Sequence, residues 1–374
     1  MLKLNLSIYL ENVKIFIMKI NIKETLVNKF IETKDLNILI ANIYNTYFEE
    51  CRKNIDEFSI IKHKETDNPI YYALLEALEI DSSDFEFEQL SKQYHLSEII
   101  KLDYIEYLNN SFIKDIRIEN KEFAKYSLKK NYYSPYECFL YSEIKVKDSA
   151  FYKEINNLGY FDKQIEYYEL LKGDTIISEI NPFEINITNN FLADAKGKVL
   201  VYGLGLGYFP YMASLKKEVS SIDVYEKDSM IIEIFNTLSI KDKIKVFNID
   251  LFKNFEKISN DYDYIYFDFN DISASTLIKY IFAKKYETNF ANTKFLYKNE
   301  VTLLALLRRY VVVLFEENLN GFTDKNYQKS SSDEDKIINA LYNSLKKEVF
   351  NNRQSIDKLL SDQSLKTLVK KLDI

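Results

Sequence analysis

The chain has 374 residues, of which 47% are hydrophobic and 29% are charged. This length predicts two or three domains with cores of their own, and the composition is that of a globular protein rather than a disordered one. The net charge of −7 and the pI of about 5.3 disfavour nucleic acid as a partner, because nucleic-acid-binding domains neutralise phosphates with a basic face.

The start of the chain alternates apolar and polar residues, with leucine or isoleucine at positions 2, 4, 6, 8 and 10. This alternation suits a β-strand; the alternative is that Met18 is the natural first residue and that the preceding segment is an extension. The apolar stretches are too interrupted for a secretory signal and too short for a membrane span. No apolar run of the length of a membrane span occurs later, so we expect a cytoplasmic protein without a membrane segment.

Cysteine and histidine are too scarce for a disulfide framework or a metal centre. The two cysteines, Cys51 and Cys138, lack the spacing of a zinc site. We expect both to be small core side chains in a reducing compartment. The two histidines, His63 and His95, are too far apart in the sequence to suggest a cluster, so the sequence predicts no metal site.

The first third of the chain has mainly helical periodicity. Apolar residues recur every three or four positions between residues 24 and 131, with further stripes at 70–80, 86–95 and 97–113. We therefore expect a mainly helical N-terminal domain over residues 1–133. The following segments, near 138–147, 150–161 and 164–180, alternate, and Gly159 and Gly173 are typical of turns. They predict a small antiparallel β segment over residues 134–180.

Residues 181–317 alternate between strand and helix patterns. A helix is expected after Asn181, an N-cap residue followed by proline, and it should end near residue 195. Helices are predicted at 209–215 and 229–238, between strands at 199–202, 221–225, 245–248, 264–267 and 294–297. This alternation predicts an α/β domain with a Rossmann-like, doubly wound and mostly parallel sheet.

Helices dominate the predicted C-terminal part of the chain. Residues 300–317 predict one long buried helix, although 311–315 are also compatible with a strand. Residues 318–374 predict a polar linker followed by two amphipathic helices. A closing antiparallel strand pair is not apparent in this region.

The most informative segment is GKVLVYGLGLGYFPYMAS, residues 197–214. The chain has only 7 glycines, and Gly203, Gly205 and Gly207 are three of them. A glycine-rich turn between a strand and a helix lets a ligand approach backbone amides. The dinucleotide pattern G-x-G-x-x-G requires a third small residue, but Tyr208 or Pro210 stands there. The evenly spaced glycines therefore fit a nicotinamide or flavin site poorly.

This glycine turn resembles the first motif of class I S-adenosylmethionine-dependent methyltransferases. Glu226 ends the second predicted strand, Asp250 follows the third and Asp268 follows the fourth. The resemblance implies that Glu226 binds the ribose hydroxyls, that Asp250 lies against the adenine amino group and that Asp268 faces the reacting end of the cofactor. Acids at the carboxyl ends of successive parallel strands lie along one crevice. The implied cofactor is S-adenosylmethionine.

Two features narrow the resemblance to the polyamine synthase (aminopropyltransferase) branch of this fold. Most methyltransferases carry an acid two residues before the first glycine, where this chain has Val201. Asp268 and Asp271 reproduce the D-x-x-D spacing of the branch, in which one carboxylate receives the amine proton. The branch's proline is replaced by Ile272, and its Tyr-His-Glu-like polyamine motif is missing. The stretch ISEINPFEINITNNF (residues 177–191), the glycine turn and the predicted helix that contains residues 306–309 resemble uncharacterised bacterial methyltransferase-like proteins. This resemblance covers about residues 135–317.

These observations predict a methyltransferase that acts on an unidentified small-molecule or protein acceptor. Asp268 and Asp271 are the expected catalytic residues, and Asp271 could instead cap the helix that follows it. The expected cofactor-binding residues are Gly203, Gly205, Gly207, Glu226, Asp250 and Asp268.

Three alternatives to a methyltransferase with such an acceptor stay open. They are an aminopropyltransferase, a non-catalytic cofactor-binding or interaction module, and an RNA methyltransferase. The last is weakened by the acidic pI and by the lack of an N-P-P-Y-like tetrapeptide after the fourth strand. The sequence is compatible with a homo-oligomer and does not identify the acceptor.

Overall fold

The computed structural model describes residues 20–80, 97–238, 243–258, 261–321 and 332–374. These residues form a mixed α/β structure with four sheets. The strands in chain order are β1 Asn21–Ile22, β2 Ser97–Lys101, β3 Lys121–Phe123, β4 Tyr126–Tyr133, β5 Phe139–Lys147, β6 Lys153–Tyr160, β7 Ile165–Lys172, β8 Thr175–Ile180, β9 Gly197–Tyr202, β10 Val219–Glu226, β11 Ile244–Asn248, β12 Tyr264–Phe267, β13 Lys294–Tyr297 and β14 Val349–Phe350.

The α-helices of the described residues are also numbered in chain order. They are α1 Glu24–Thr46, α2 Glu57–Lys62, α3 Pro69–Ala77, α4 Tyr104–Leu108, α5 Ser111–Asp115, α6 Pro182–Asp194, α7 Tyr208–Ser214, α8 Ser229–Asn236, α9 Ala274–Tyr286, α10 Glu300–Leu319, α11 Asp333–Leu345, α12 Arg353–Leu360 and α13 Asp362–Val369. A π-helical turn, Tyr47–Cys51, continues α1.

The first third of the described chain contains more strand than the helical periodicity predicts. Helices α1 and α3 agree with the prediction, whereas the stretch 97–113 begins with β2, and β4 lies where helix was expected. Strand β2 pairs with β6, and β4 pairs with β7 along its whole length. These segments form strands rather than helices because they pair with partners distant in the sequence, and strand formation depends on cross-strand packing. The predicted strand at 1–10, Met18, the stripe at 86–95 and His95 lie outside the described residues.

The predicted antiparallel segment forms β5 to β8, which are divided between two sheets. One sheet has the order β2-β6-β5, and the other has the order β3-β4-β7-β8. Gly173 makes the turn between β7 and β8, with φ +59°. The turn predicted at Gly159 is wrong, because this residue lies inside β6, opposite Phe139 of β5. A Cβ atom at Gly159 would lie 2.8 Å from Cδ1 of Leu102, so close packing accounts for this glycine.

The five-stranded sheet has the order β11-β10-β9-β12-β13, and all its neighbouring strands are parallel. Its strands are those predicted from the sequence, within two residues at each end. Alternate strand residues enter two different cores. Leu200, Ile265 and Phe267 pack with α9, α10 and the C-terminal helices, whereas Val201 and Tyr266 pack with α6, α7 and α8. Helices therefore cover both faces, and the carboxyl ends of all five strands open at one edge.

The long helix α10 confirms the prediction for residues 300–317 and excludes the alternative strand at 311–315. Leu303, Leu307, Val311 and Leu314 are completely buried at helical spacing. Helices α11 to α13 follow, and the short strand β14 pairs in parallel with β1. Among the described residues, none of the helices combines the length and the apolar content that a membrane span requires.

Candidate functional site

The glycine turn follows β9 and leads into α7. Gly203, Gly205 and Gly207 all have positive φ angles, of +89°, +51° and +80°. A Cβ atom at Gly205 would lie 2.5 Å from Oγ of Ser178, which accepts a hydrogen bond from the amide of Leu206. A Cβ atom at Gly207 would lie 2.2 Å from the ring of Phe235. The turn is therefore packed between β8 and α8, in a conformation that favours glycine at all three positions.

Glu226 ends β10 and fastens the glycine turn to the neighbouring loop. Its side chain is buried, and Oε2 accepts a hydrogen bond of 3.0 Å from the amide of Leu204. Oε1 accepts one of 2.8 Å from the amide of Asp228. Burial raises the pKa of Glu226. Each carboxylate oxygen has a second lone pair, so both can still accept a hydrogen bond from a ligand hydroxyl.

Asp268 follows β12 and belongs to a buried ionic cluster that the sequence did not predict. Lys298, directly after β13, places its Nζ 2.7 Å from Oδ1 of Asp268. The same Nζ lies 2.5 Å from Oε2 of Glu184 and 2.6 Å from Oδ1 of Asn270. Nearby carboxylates raise the pKa of Lys298 against the opposing effect of its burial. The ammonium is therefore charged, and all three of its protons are used.

Asp271 stabilises the start of α9. Its Oδ2 accepts a hydrogen bond of 2.5 Å from the hydroxyl of Ser273, and its Oδ1 accepts one of 2.7 Å from the hydroxyl of Thr276. Ser273 is the N-cap residue of this helix. These contacts fit the helix-capping alternative for Asp271, and each of its carboxylate oxygens accepts one hydrogen bond from a side chain at the start of the helix.

A cavity of about 630 Å³ opens where the carboxyl ends of the parallel strands meet β8. Of the residues predicted from the sequence, it brings together Gly203, Gly205, Glu226, Asp268 and Asp271. Gly207 and Asp250 do not line it. Gly207 instead begins α7, and the Asp250 carboxylate lies 3.6 Å from Nζ of the exposed Lys253.

The cavity wall is rich in charge, with more acids than bases. Its acids are Glu179, Glu184, Glu226, Asp228, Asp268 and Asp271, and its lysines are Lys172, Lys227, Lys279 and Lys298. Asp228 accepts a hydrogen bond from the hydroxyl of Tyr126 on β4, so the small sheet forms part of the wall. The volume is in the range of small-molecule and cofactor pockets.

Glu179, near the end of β8, is a wall residue that the sequence analysis did not single out. Burial, together with the negative charges of Glu169 and Glu184, raises its pKa to about 7. Its carboxylate accepts a hydrogen bond of 3.3 Å from Nδ2 of Asn181. Glu179 and Glu184 both lie in ISEINPFEINITNNF, residues 177–191, one of the stretches on which the resemblance rests. Lys298 had only the weak signal of following the fifth strand.

The cysteines and His63 lie away from this cavity. Cys138 is buried, and the partly buried Cys51 packs against the same hydrophobic cluster. His63 pairs with Glu76, with 2.9 Å between Nε2 and Oε2. Within the described residues, no group of three or more His, Cys, Asp or Glu side chains is arranged to hold a metal ion.

The chain matches no protein-family model, and no curated protein or solved structure is similar enough to match it. Function is therefore inferred from the geometry of the cavity and the residues that line it.

Proposed function

We propose that the chain is an S-adenosylmethionine-dependent methyltransferase with a Rossmann-like domain at residues 181–317. The observation that carries the proposal is the shared position of the glycine turn, Glu226 and Asp268 on one cavity. The strand order β11-β10-β9-β12-β13 supports it, because doubly wound sheets bind ligands where the order reverses, beside the first strand. Here that strand is β9, which leads into the glycine turn.

The residues present suit this ligand. Gly203 and Gly205 line the cavity without side chains, so a ligand can approach the backbone closely. The buried Glu226 offers carboxylate lone pairs to the ribose hydroxyls. Oδ2 of Asp268 lies 3.8 Å from the Cβ position of Gly205, so it faces the turn and can bind a polar group of the ligand.

Methyl transfer requires the protein mainly to align the two reactants. S-adenosylmethionine supplies a methyl group on a positively charged sulfur, from which a nucleophile takes it. The protein's contribution is to hold the two reactants in line and to exclude water. Asp268, fixed by Lys298, orients the reacting groups, and Asp271 supports the wall through the start of α9. The acceptor is a small molecule or a protein.

An aminopropyltransferase is the second candidate, and one observation favours it. All three protons of Lys298 are bound to Glu184, Asp268 and Asn270. The buried lysine of the cavity therefore has no proton left for the carboxylate of S-adenosylmethionine, which decarboxylated S-adenosylmethionine lacks. A non-catalytic binding module is the third candidate, because cofactor binding requires fewer of these residues than turnover.

Calorimetric titration tests the proposal directly. The purified protein is titrated with S-adenosylmethionine, its decarboxylated form and S-adenosylhomocysteine. We expect the carboxylated ligands to bind more tightly and the Glu226→Ala variant to lose most of the affinity. Glu233→Ala is the matched control, since Glu233 is an exposed glutamate on α8 and should leave affinity unchanged.

Other results of this titration would favour a different candidate function or contradict the proposal. Tighter binding of the decarboxylated ligand would favour the aminopropyltransferase. Binding without transfer to any acceptor in a broad screen would favour the module. If none of the three ligands binds, the proposal is wrong.

A further inference from the structure

The carboxylate of Asp268 is engaged in the buried ion cluster. Its Oδ1 is bound to Lys298, whose ammonium is almost completely buried. Transfer of a proton to Asp268 would leave this ammonium with Glu184 but without Asp268, and loss of a partner from a buried ion pair is unfavourable. Asp268 is therefore suited to hold and orient a ligand.

Glu179 lines the same cavity in a different electrostatic setting. Among the described residues, no lysine or arginine nitrogen lies within 4.0 Å of its carboxylate, and its hydrogen bond from Asn181 is long, at 3.3 Å. The preceding residue, Ser178, contacts the glycine turn, and Glu179 itself lines the cavity together with Glu184 and Lys298, whose charges act on its carboxylate. Within the described part of the chain, Glu179 is thus a carboxylate with no close cationic partner on the cavity that Asp268 and the glycine turn also line.

We propose that Glu179, rather than Asp268, accepts the proton of the nucleophile during transfer, an assignment that rests on the proposed function. A bond forms between the acceptor's nitrogen or oxygen and the transferred carbon. The carbon–sulfur bond breaks, and its electron pair stays on the sulfur, which becomes neutral. The proton that leaves the nucleophile binds to the Glu179 carboxylate and then passes to solvent.

The groups around Glu179 change the pKa of its carboxyl group. Burial and the charges of Glu169 and Glu184 raise its pKa to about 7, against the opposite effect of Arg52 and Lys298. The phenols of Tyr133 and Tyr167 also face this carboxylate. Because a proton acceptor works best when its pKa is near the ambient pH, this environment suits general base catalysis.

Proton release on ligand binding tests the assignment without a known acceptor. At pH 7 a group with a pKa of about 7 is half protonated, so a cationic sulfonium nearby should expel about half a proton. Calorimetry with S-adenosylmethionine in buffers of different ionisation enthalpy counts the protons. We expect this release to disappear in Glu179→Gln and to persist in Glu166→Gln, an exposed glutamate on β7. The neutral S-adenosylhomocysteine should release less.

The outcomes separate the two proposals. If S-adenosylmethionine binds and Glu179→Gln releases as many protons as the natural protein, Glu179 is not the proton acceptor but the proposed function stands. If S-adenosylmethionine does not bind to the natural protein, the proposed function itself is wrong. If Glu179→Gln does not fold, proton release by the natural protein alone still tests the assignment. Equal proton release on binding of S-adenosylmethionine and on binding of S-adenosylhomocysteine would overturn it.

Discussion

Nζ of Lys298 lies 2.7 Å from Oδ1 of Asp268, and this ion pair joins the ends of the neighbouring strands β12 and β13. Oε2 of Glu184 on α6 lies 2.5 Å from the same nitrogen, so the cluster also connects these strands to the helix that precedes the parallel sheet. The cluster fixes the direction of the Asp268 carboxylate and leaves Oδ2 toward the glycine turn. The polar end of the cavity is therefore organised before any ligand binds.

The first prediction concerns the stability of this cluster. Lys298→Met leaves Glu184 and Asp268 buried without their cation, so we expect a loss of about 3–5 kcal/mol in the free energy of unfolding. Urea denaturation measures the loss. Adding Glu184→Gln to this variant should recover part of it, because one of the two unbalanced charges is removed.

Lys294→Met is the matched control for the cluster. Lys294 begins β13, the strand that Lys298 follows, but its ion pair with Asp194 is exposed, and exposed pairs contribute little. Equal destabilisation by Lys294→Met and Lys298→Met would contradict the importance given to the buried cluster.

The second prediction separates the roles of Asp268 and Asp271. Asp271→Ala removes the hydrogen bonds at the start of α9, so it should lower the free energy of unfolding by about 1 kcal/mol and leave affinity for S-adenosylmethionine nearly unchanged. Asp268→Ala removes a charged hydrogen-bond acceptor and should weaken binding by about tenfold or more. Calorimetry and urea denaturation measure the two effects. A larger loss of affinity in Asp271→Ala would instead support a direct role for that carboxylate.

The parallel sheet could be predicted because its signals are local. Strands β12 and β13 have the predicted bounds, since each is a short apolar run next to a helix pattern. Strands β2 and β4 were missed because their partners, β6 and β7, lie far along the chain. Local periodicity does not contain the pairing that makes these segments strands.

The candidate site was predicted only in part, for a similar reason. Gly203, Gly205, Glu226 and Asp268 stand at the ends of recognisable strands, so their order along the chain indicates a shared crevice. Glu179, Glu184 and Lys298 of the same cavity come from β8, α6 and the end of β13. An isolated glutamate or lysine in such an element usually lies on the surface, and only the tertiary structure places these three side chains together.

The third prediction concerns the packing of the glycine turn. Gly207→Ala would place a methyl group 2.2 Å from the Phe235 ring, in a left-handed backbone conformation. We expect a loss of about 2–5 kcal/mol in the free energy of unfolding, from backbone strain and overpacking together. Gly173→Ala is the control. Gly173 has a similar backbone conformation, but no atom is found within 4 Å of its Cβ position, so this variant should lose only the stability that backbone strain accounts for, about 1 kcal/mol. If both variants lose the same stability, the Phe235 contact is unimportant.

The fourth prediction concerns the pH dependence of stability. Glu179 has its pKa raised from 4.5 to about 7 in the folded protein. This side chain therefore binds a proton more tightly in the folded protein than in the unfolded chain. The stability that this difference contributes is present below pH 4.5 and is lost as the pH rises through about 7. A shift of this size corresponds to roughly 3 kcal/mol. Urea denaturation between pH 4.5 and pH 8 should show that Glu179→Gln loses less stability than the natural protein over this range.

The comparison between variants isolates Glu179 from buried acids that do not interact with it, such as Glu226, whose pKa is also raised. These groups titrate in both proteins, so they cancel in the difference between the two stability curves when they lie too far away to couple. Glu166→Gln should follow the natural protein, because its carboxylate is exposed. Parallel curves for Glu179→Gln and the natural protein would mean that Glu179 is already ionised below pH 7. In that case its carboxylate would be a weaker base than proposed, with a pKa too far below the ambient pH for efficient general base catalysis.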